Sequence, residues 1–288
     1  MNTISFMQWL ETYQLNISPA LIMGIVNVTP DSFSDHGRHA RPQQAIQHAL
    51  ELIQQGADLI DIGGESSRPG AVPVSIQEEL DRVMPVIEGI RSASTCCLSI
   101  DTTKPEVMHA AIQSGVCLIN DIHALRTEGA LDAAASLKAP VCLMHMQGQP
   151  NTMQSNPHYP TSVINAINDF FAIQVQRSID AGIAKQHILL DPGFGFGKTP
   201  QHNLYILNQL TAFQLHQCPI LLGVSRKSTL GYVTGQDVHN RLIPGITAAI
   251  FTLLQGVAII RTHDVQETVQ ARQMLQAILT HKDLYATT

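Results

Sequence analysis

LIMGIVN, Leu21 to Asn27, is apolar at every position until it stops at Asn27, and a polar stretch and then a helix-like pattern follow it. The same move recurs at DLIDIGGES from Asp58, CLSIDTT from Cys97, CLINDI from Cys117, VCLMHM from Val141, ILLDPG from Ile188, ILLGVSR from Ile220 and AIIRTHD from Ala258. Near-continuous apolar runs are expected of strands buried on both faces of a parallel sheet, whereas a half-solvated antiparallel sheet alternates. Between the runs, Ile46, Ala49, Leu50 and Ile53, and later Ile164, Ile167, Phe171 and Val175, recur at helical spacing and give each helix one apolar face. Eight such alternations in 288 residues predict an α/β protein, a (β/α)8 TIM barrel over residues 21–288, with residues 1–20 a short N-terminal extension packed on it.

The runs end at Asn27, Asp61, Asp101, Asn120, Asp121, His145, Asp191, Ser225, Arg261 and His263. In a barrel the C-terminal strand ends converge on one face, so these residues are expected to form one pocket. Any one of the Asp or Asn residues is explained equally well as a helix cap. Capping does not require carboxylates on consecutive strands together with Lys227, Arg261 and His263, a combination that suits a polar ligand. Three long connections, Thr29 to Pro42, Gly63 to Ser75 and Met146 to Pro160, all follow strands and are expected to overhang this face.

A net charge of -6 offers no basic surface for nucleic acid. The segment MNTISFMQWLETYQL has no basic leader region and carries Glu11 within its apolar stretch. No apolar run reaches the roughly 18 residues of a membrane helix, so a cytoplasmic protein without membrane contact is expected. The five cysteines form no C-x-x-C pair, and Cys96, Cys97, Cys117 and Cys142, in or beside predicted strands, are expected to be small core fillers. GFGFGK (Gly193 to Lys198) misses the dinucleotide-loop spacing, and GVSRKST (Gly223 to Thr229) lacks the glycines of a Walker loop. The latter reads better as a strand end that aims Lys227 inward and leaves Ser228 at a helix start, where backbone N–H groups can hold an anion.

MGIVNVTPDSFSDHG, DIGGESSRPGA, SIDTTKPEV, NDI, LDPGFGFGK, GVSRKS and IRTHDV occur in that order, and together they resemble the dihydropteroate synthase family over residues 21–280. NVTPDSFSD and GGESSRPG are the most specific of these strings. The departures are slight: His36 stands where glycine is commoner, Ser67 where threonine is, and Thr103 where serine is. The likeness is to the single-function bacterial type, with no pyrophosphokinase domain preceding the barrel. It implies a transferase of folate biosynthesis, a sulfonamide target. The enzyme joins 6-hydroxymethyl-7,8-dihydropterin diphosphate to p-aminobenzoate, releasing pyrophosphate and forming 7,8-dihydropteroate.

The same resemblance implies the site. Asp101, Asn120, Asp191, Phe196, Lys227 and Arg261 are expected at the pterin, with Asp101, Lys227, Arg261 and His263 carrying catalysis. A carboxylate such as Asp191 matches the adjacent 2-amino and N3–H donors, and an arginine stacks on the ring where a lysine does not. Asn27, Arg261 and His263 are expected at the diphosphate, and Asn27 with Asp31 at Mg2+. Phe33, Ser67, Arg68, Pro69 and Ser228 are expected around p-aminobenzoate. Asp61, Asp121 and His145 are expected to orient neighbouring groups or to lie in the core. Homodimerisation through barrel helices is implied as well. Two alternatives share the pterin carboxylate: a methyltetrahydrofolate corrinoid methyltransferase, which needs no diphosphate site, and a barrel that binds a pterin without catalysis.

Overall fold

Eight parallel strands form one sheet in the computed structural model, which describes residues 1–15, 18–29, 40–67, 70–148, 150 and 152–281. They are β1 (Leu21–Asn27), β2 (Leu59–Gly63), β3 (Cys97–Asp101), β4 (Leu118–Asp121), β5 (Val141–Met144), β6 (Ile188–Asp191), β7 (Leu221–Leu222) and β8 (Ile259–Thr262). The strand order is β6-β5-β4-β3-β2-β1-β8-β7, and a parallel bridge between Leu190 and Ile220 closes the ring. The protein is therefore a (β/α)8 barrel. The seventh strand is shorter than the run from Ile220 suggests. Pro219 contributes only its carbonyl, which accepts from Leu190 N at 3.0 Å, and four residues past Leu222 the chain turns through Arg226 at φ +59°.

Strand alternation sorts side chains between the barrel interior and the helices. Ile60, Ile62, Leu98, Ile100, Ile119, Leu143, Leu190, Leu222 and Ile260 face outward in one apolar cluster with the helices. Leu21, Met23, Leu59, Cys97, Leu118, Cys142, Leu189, Leu221 and Ile259 form a second cluster inside the barrel. Helix α1 (Thr3–Thr12) adds Phe6, Trp9 and Leu10 to that cluster and so covers the N-terminal mouth of the barrel. Two residues further along the same strands, the inward series becomes Asp61, Ser99, Asn120, Asp191 and Arg261, with Asp101 two beyond Ser99. The apolar interior thus carries a polar layer on top, at the C-terminal face.

The strands are linked through α2 (Ala40–Gln54), α3 (Ile76–Ala93), α4 (Pro105–Gln113), α5 (Ala130–Leu137), α6 (Val163–Asp180), α7 (Pro200–Asn208), α8 (Ser228–Thr234) and α9 (Leu242–Leu254); α10 (Val265–Thr280) follows β8. Ile164, Ile167, Phe171 and Val175 of α6 are all buried, as their spacing predicts. In α2 the stripe is rotated: Ala45, Ala49 and Leu52 are buried, while Ile46 and Ile53 pack at its edge. Ala45 and Ala49 let α2 approach the sheet, with Ile46 and Ile53 on the flanks of that contact.

Cys96, Cys142 and Cys218 are buried free thiols, but Cys97 and Cys117 are joined in a disulfide. This corrects the expectation that all the strand cysteines are independent fillers. β3 and β4 are neighbours, and the two Cα atoms lie 6.2 Å apart, within disulfide reach. Among the described residues, no helix is long and apolar enough to cross a membrane.

Candidate active site

Register places the first part of the site. Asn27 pairs with Gly63, Gly63 with Asp101 and Asp101 with Asn120, so one rung across β1 to β4 carries three polar side chains and a gap. The gap matters, because a Cβ on Gly63 would sit 3.7 Å from Asp101 Oδ2 and 3.8 Å from Asn27 Oδ1. Opposite this rung, Arg261 of β8 crosses the mouth. Its Nε donates to Asp61 Oδ2 at 2.6 Å and its Nη2 to Asp101 Oδ2 at 2.9 Å. Asn120 Nδ2 also donates to Asp61 Oδ2, at 3.1 Å. Asp61 is fully buried, and its charge is compensated through this one oxygen. Burial pushes the Asp101 carboxyl up to about 7, with the Arg261 guanidinium opposing and Asp61 adding to the shift.

Asp191 ends β6 and opens the loop DPGFGFGK. Its Oδ1 accepts from Gly193 N at 2.7 Å, and burial raises its carboxyl above the ordinary range against the pull of that N–H, Lys227 and Lys198. Lys227 reaches in from the start of α8. Its Nζ donates to Phe194 O at 2.6 Å and stands 4.1 Å from the centre of the Phe196 ring, a cation–π contact. Burial lowers the Lys227 ammonium to about 8. His263 follows β8, with its Nδ1 3.1 Å from Ser225 Oγ, which also accepts from His263 N at 3.2 Å. Ser228 is the exposed first residue of α8, and Ser67 is half-buried in the second loop. Asp31, Phe33, Arg68 and Pro69, like His36, lie outside the described residues.

Asp121 and His145 do not join this pocket, which corrects the expectation of a single polar cluster. Asp121 has the strand parity of Ile119 and faces outward. Its two oxygens accept from His123 N at 2.7 Å and Leu125 N at 2.8 Å, holding a turn in which Ala124 and Leu125 adopt positive φ. His145 lies one residue past Met144, with its ring edge-on to Phe170 at 5.0 Å, and burial takes its imidazole down to about 2. Two cations were missed in the sequence. Lys198 is buried behind the Asp191 loop. Lys104 pairs with Glu65 at the start of the second loop and with the buried Glu79 of α3. The signal for each was a lysine closing a motif, in GFGFGK and DTTK.

The family model for pterin binding enzymes matches residues 23–263, which places this barrel, with Arg261 bridging Asp61 and Asp101 at its C-terminal face, in the class of pterin-binding enzymes. The chain is 48% identical over 269 residues to dihydropteroate synthase of Escherichia coli K12, covering 93% of this chain and 95% of that one. It is 44% identical over 263 residues to the Haemophilus influenzae enzyme, covering 91% and 95%. Among solved structures, the Yersinia pestis dihydropteroate synthase with a sulfonamide drug matches with a TM-score of 0.87 at 48% identity, over 94% of this chain and 98% of that one. The Xanthomonas albilineans enzyme in complex with 7,8-dihydropteroate matches at 0.85 and 41% identity, over 95% and 99%. The chain belongs to the dihydropteroate synthase family and is a transferase of folate biosynthesis.

Proposed function

We propose that this face binds 6-hydroxymethyl-7,8-dihydropterin diphosphate and transfers its methylene to p-aminobenzoate with release of pyrophosphate. In this reading Asp191 accepts the 2-amino and N3–H edge of the pterin, and Lys227 donates to the oxo side. Asp101 and Asn120 meet the remaining ring atoms, while Arg261 and Phe196 bound its faces. The observation that carries the assignment is Arg261 held between Asp61 and Asp101, with buried Asp191 and half-buried Lys227 in the same charge cluster. Such an array offers fixed acceptors and donors to a flat polar heterocycle and leaves them unpaired with any ligand lacking matching groups.

Asn27, Arg261 and His263 hold the diphosphate. Asn27 Oδ1 and Asp101 Oδ2 both approach the gap at Gly63, and oxygen donors of this kind fit Mg2+, which keeps several waters and shares its shell with phosphate oxygens. Among the described residues there is no cluster of three His, Cys, Asp or Glu side chains able to chelate a metal alone. The donor set therefore fits an ion that arrives with the diphosphate. Asn27 and Asp31 would hold it, and when bound it supplies positive charge beside the leaving group.

The leaving carbon is a methylene on an electron-rich ring, so C–O cleavage precedes attack. Arg261 and His263 neutralise the departing diphosphate, and ionised Asp101 stabilises the cation left on the pterin, which is electrostatic preorganisation rather than proton transfer. The arylamine, bounded by Phe33, Ser67, Arg68 and Pro69, presents its carboxylate to Ser228 at the start of α8. Those loops exclude water, which would consume the same cation. The test is positional isotope exchange with 18O in the bridging C–O oxygen and no arylamine. Scrambling into non-bridging positions is expected in the recovered pterin diphosphate, and full retention of the label in the bridging position contradicts dissociation.

A homodimer located in the cytoplasm completes the reading. The exposed Leu204, Tyr205, Tyr232, Val233, Ile243 and Phe251 on α7, α8 and α9 support pairing through barrel helices. Light scattering that returns a monomer at micromolar concentration removes it.

A further inference from the structure

GFGFGK fails as a phosphate loop, and its terminal lysine lies behind the pocket rather than in it. Three glycines fold this loop back onto the end of β5. Gly193 has φ +68°, and a Cβ there would lie 1.9 Å from the carbonyl oxygen of His145; Gly197 has φ +64°, and its Cβ would lie 2.6 Å from Gln147 O. The two backbones therefore meet with no side chain between them. Beneath the contact, Lys198 Nζ lies 3.0 Å from His145 Nδ1, 3.2 Å from His145 O and 3.0 Å from Phe196 O. A lysine ammonium has three donors, and here each has an acceptor. Two of those acceptors belong to the segment after β5 and the third to the Asp191 loop itself.

Everything the loop presents to the site lies between Asp191 and Lys198. The Gly193 N–H orients the Asp191 carboxylate, the Phe194 carbonyl holds the Lys227 ammonium, and the Phe196 ring lies beneath it. We infer that Lys198 is a positioning residue that clamps the Asp191 loop to the end of β5, so that Asp191 and Lys227 are set for the pterin while the arylamine site is untouched. The inference rests on the assignment of Asp191 and Lys227 to the pterin. His145 gains a role by the same geometry: it supplies two of the three acceptors from behind the pocket. Its depressed imidazole stays neutral, which leaves Nδ1 free to accept, and the buried Lys198 ammonium is lowered to about 7. Lys198 also stands as the second cation, after Lys227, that favours ionised Asp191.

The experiment compares Lys198→Gln and Asp191→Asn with wild type in steady-state turnover, varying each substrate separately. Lys198→Gln keeps two N–H donors but loses the charge and the third contact. The expected result is a KM for pterin diphosphate raised about tenfold or more, with the KM for p-aminobenzoate within about twofold. Partial recovery of the pterin KM is expected in Lys198→Arg, which restores the cation. Equal rises in both KM values, or no rise in either, overturn the clamp. Loss of the folded far-UV spectrum in both Lys198 variants also overturns it, because a clamp confined to one loop leaves the barrel able to fold. If Asp191→Asn too leaves the pterin KM unchanged, the failure lies with the pterin assignment rather than with Lys198.

Discussion

Asp191→Asn probes the proposed pterin contact at an atom whose orientation the backbone fixes. Asp191 Oδ1 already accepts the Gly193 N–H at 2.7 Å, so the oxygen of an introduced amide must turn to that donor. The amide nitrogen then occupies the place of Oδ2, and a donor faces the donors of the pterin edge. What disappears is a hydrogen bond to a charged acceptor, worth roughly 1.5–3 kcal/mol. At about 1.4 kcal/mol per decade this is roughly a 10- to 150-fold weaker Kd. Stability moves the other way. Burial raises the Asp191 carboxyl, so at neutral pH the ionised side chain costs stability that a neutral amide of equal size does not. Calorimetric titration with pterin diphosphate, run beside thermal unfolding, separates the two effects. The expected outcome is weak binding by a protein that melts no lower than wild type. A Kd within about threefold of wild type would refute the pterin assignment.

Arg261→Lys keeps the charge but cannot bridge two carboxylates, since the guanidinium fork spans Asp61 and Asp101 through separate nitrogens. Leaving one buried carboxylate unpaired should lower stability by about 3 kcal/mol in urea unfolding and abolish most turnover; an unchanged midpoint would contradict the bridge. Because burial raises Asp101 to about 7, a proton neutralises it below that pH, and kcat/KM for the pterin substrate should fall roughly tenfold per unit on the acid side. A flat profile from pH 5 to 8 would remove Asp101 as the charged group, on the roughly one-unit spacing such a profile resolves. Gly193→Ala drives a methyl group into His145 O at φ +68°, and should cost at least about 2 kcal/mol or displace the Asp191 loop enough to lose pterin affinity. Retention of both stability and affinity would show that the loop does not depend on that close approach.

The barrel was legible because parallel strands covered on both sides leave unbroken apolar runs, each ended by a polar residue. The same rule misjudged two strand-end residues. Asp121 and His145 also terminate apolar runs, but their parity turns them outward, and a one-residue difference within a strand reverses the face a side chain occupies. Parity can be read in the sequence once one inward residue per strand is known; Leu118 and Asn120 alternate with Ile119 and Asp121. Lys198 and Lys104 were hidden for another reason. Their partners are a backbone carbonyl after β5 and a glutamate on α3, far away in sequence, and only the folded chain brings them together. The Cys97–Cys117 bond likewise follows from the adjacency of β3 and β4 rather than from any local spacing.

Coupling between departure of diphosphate from the pterin and capture by an arylamine is read from the pyrophosphate and dihydropteroate that the purified protein forms from dihydropterin diphosphate and Mg2+, with and without p-aminobenzoate. Dihydropteroate appearing only with p-aminobenzoate, in equal amount to the pyrophosphate released alongside it, is the predicted result. Saturable pterin binding with no pyrophosphate under either condition would contradict it and leave a pterin-binding barrel without this chemistry.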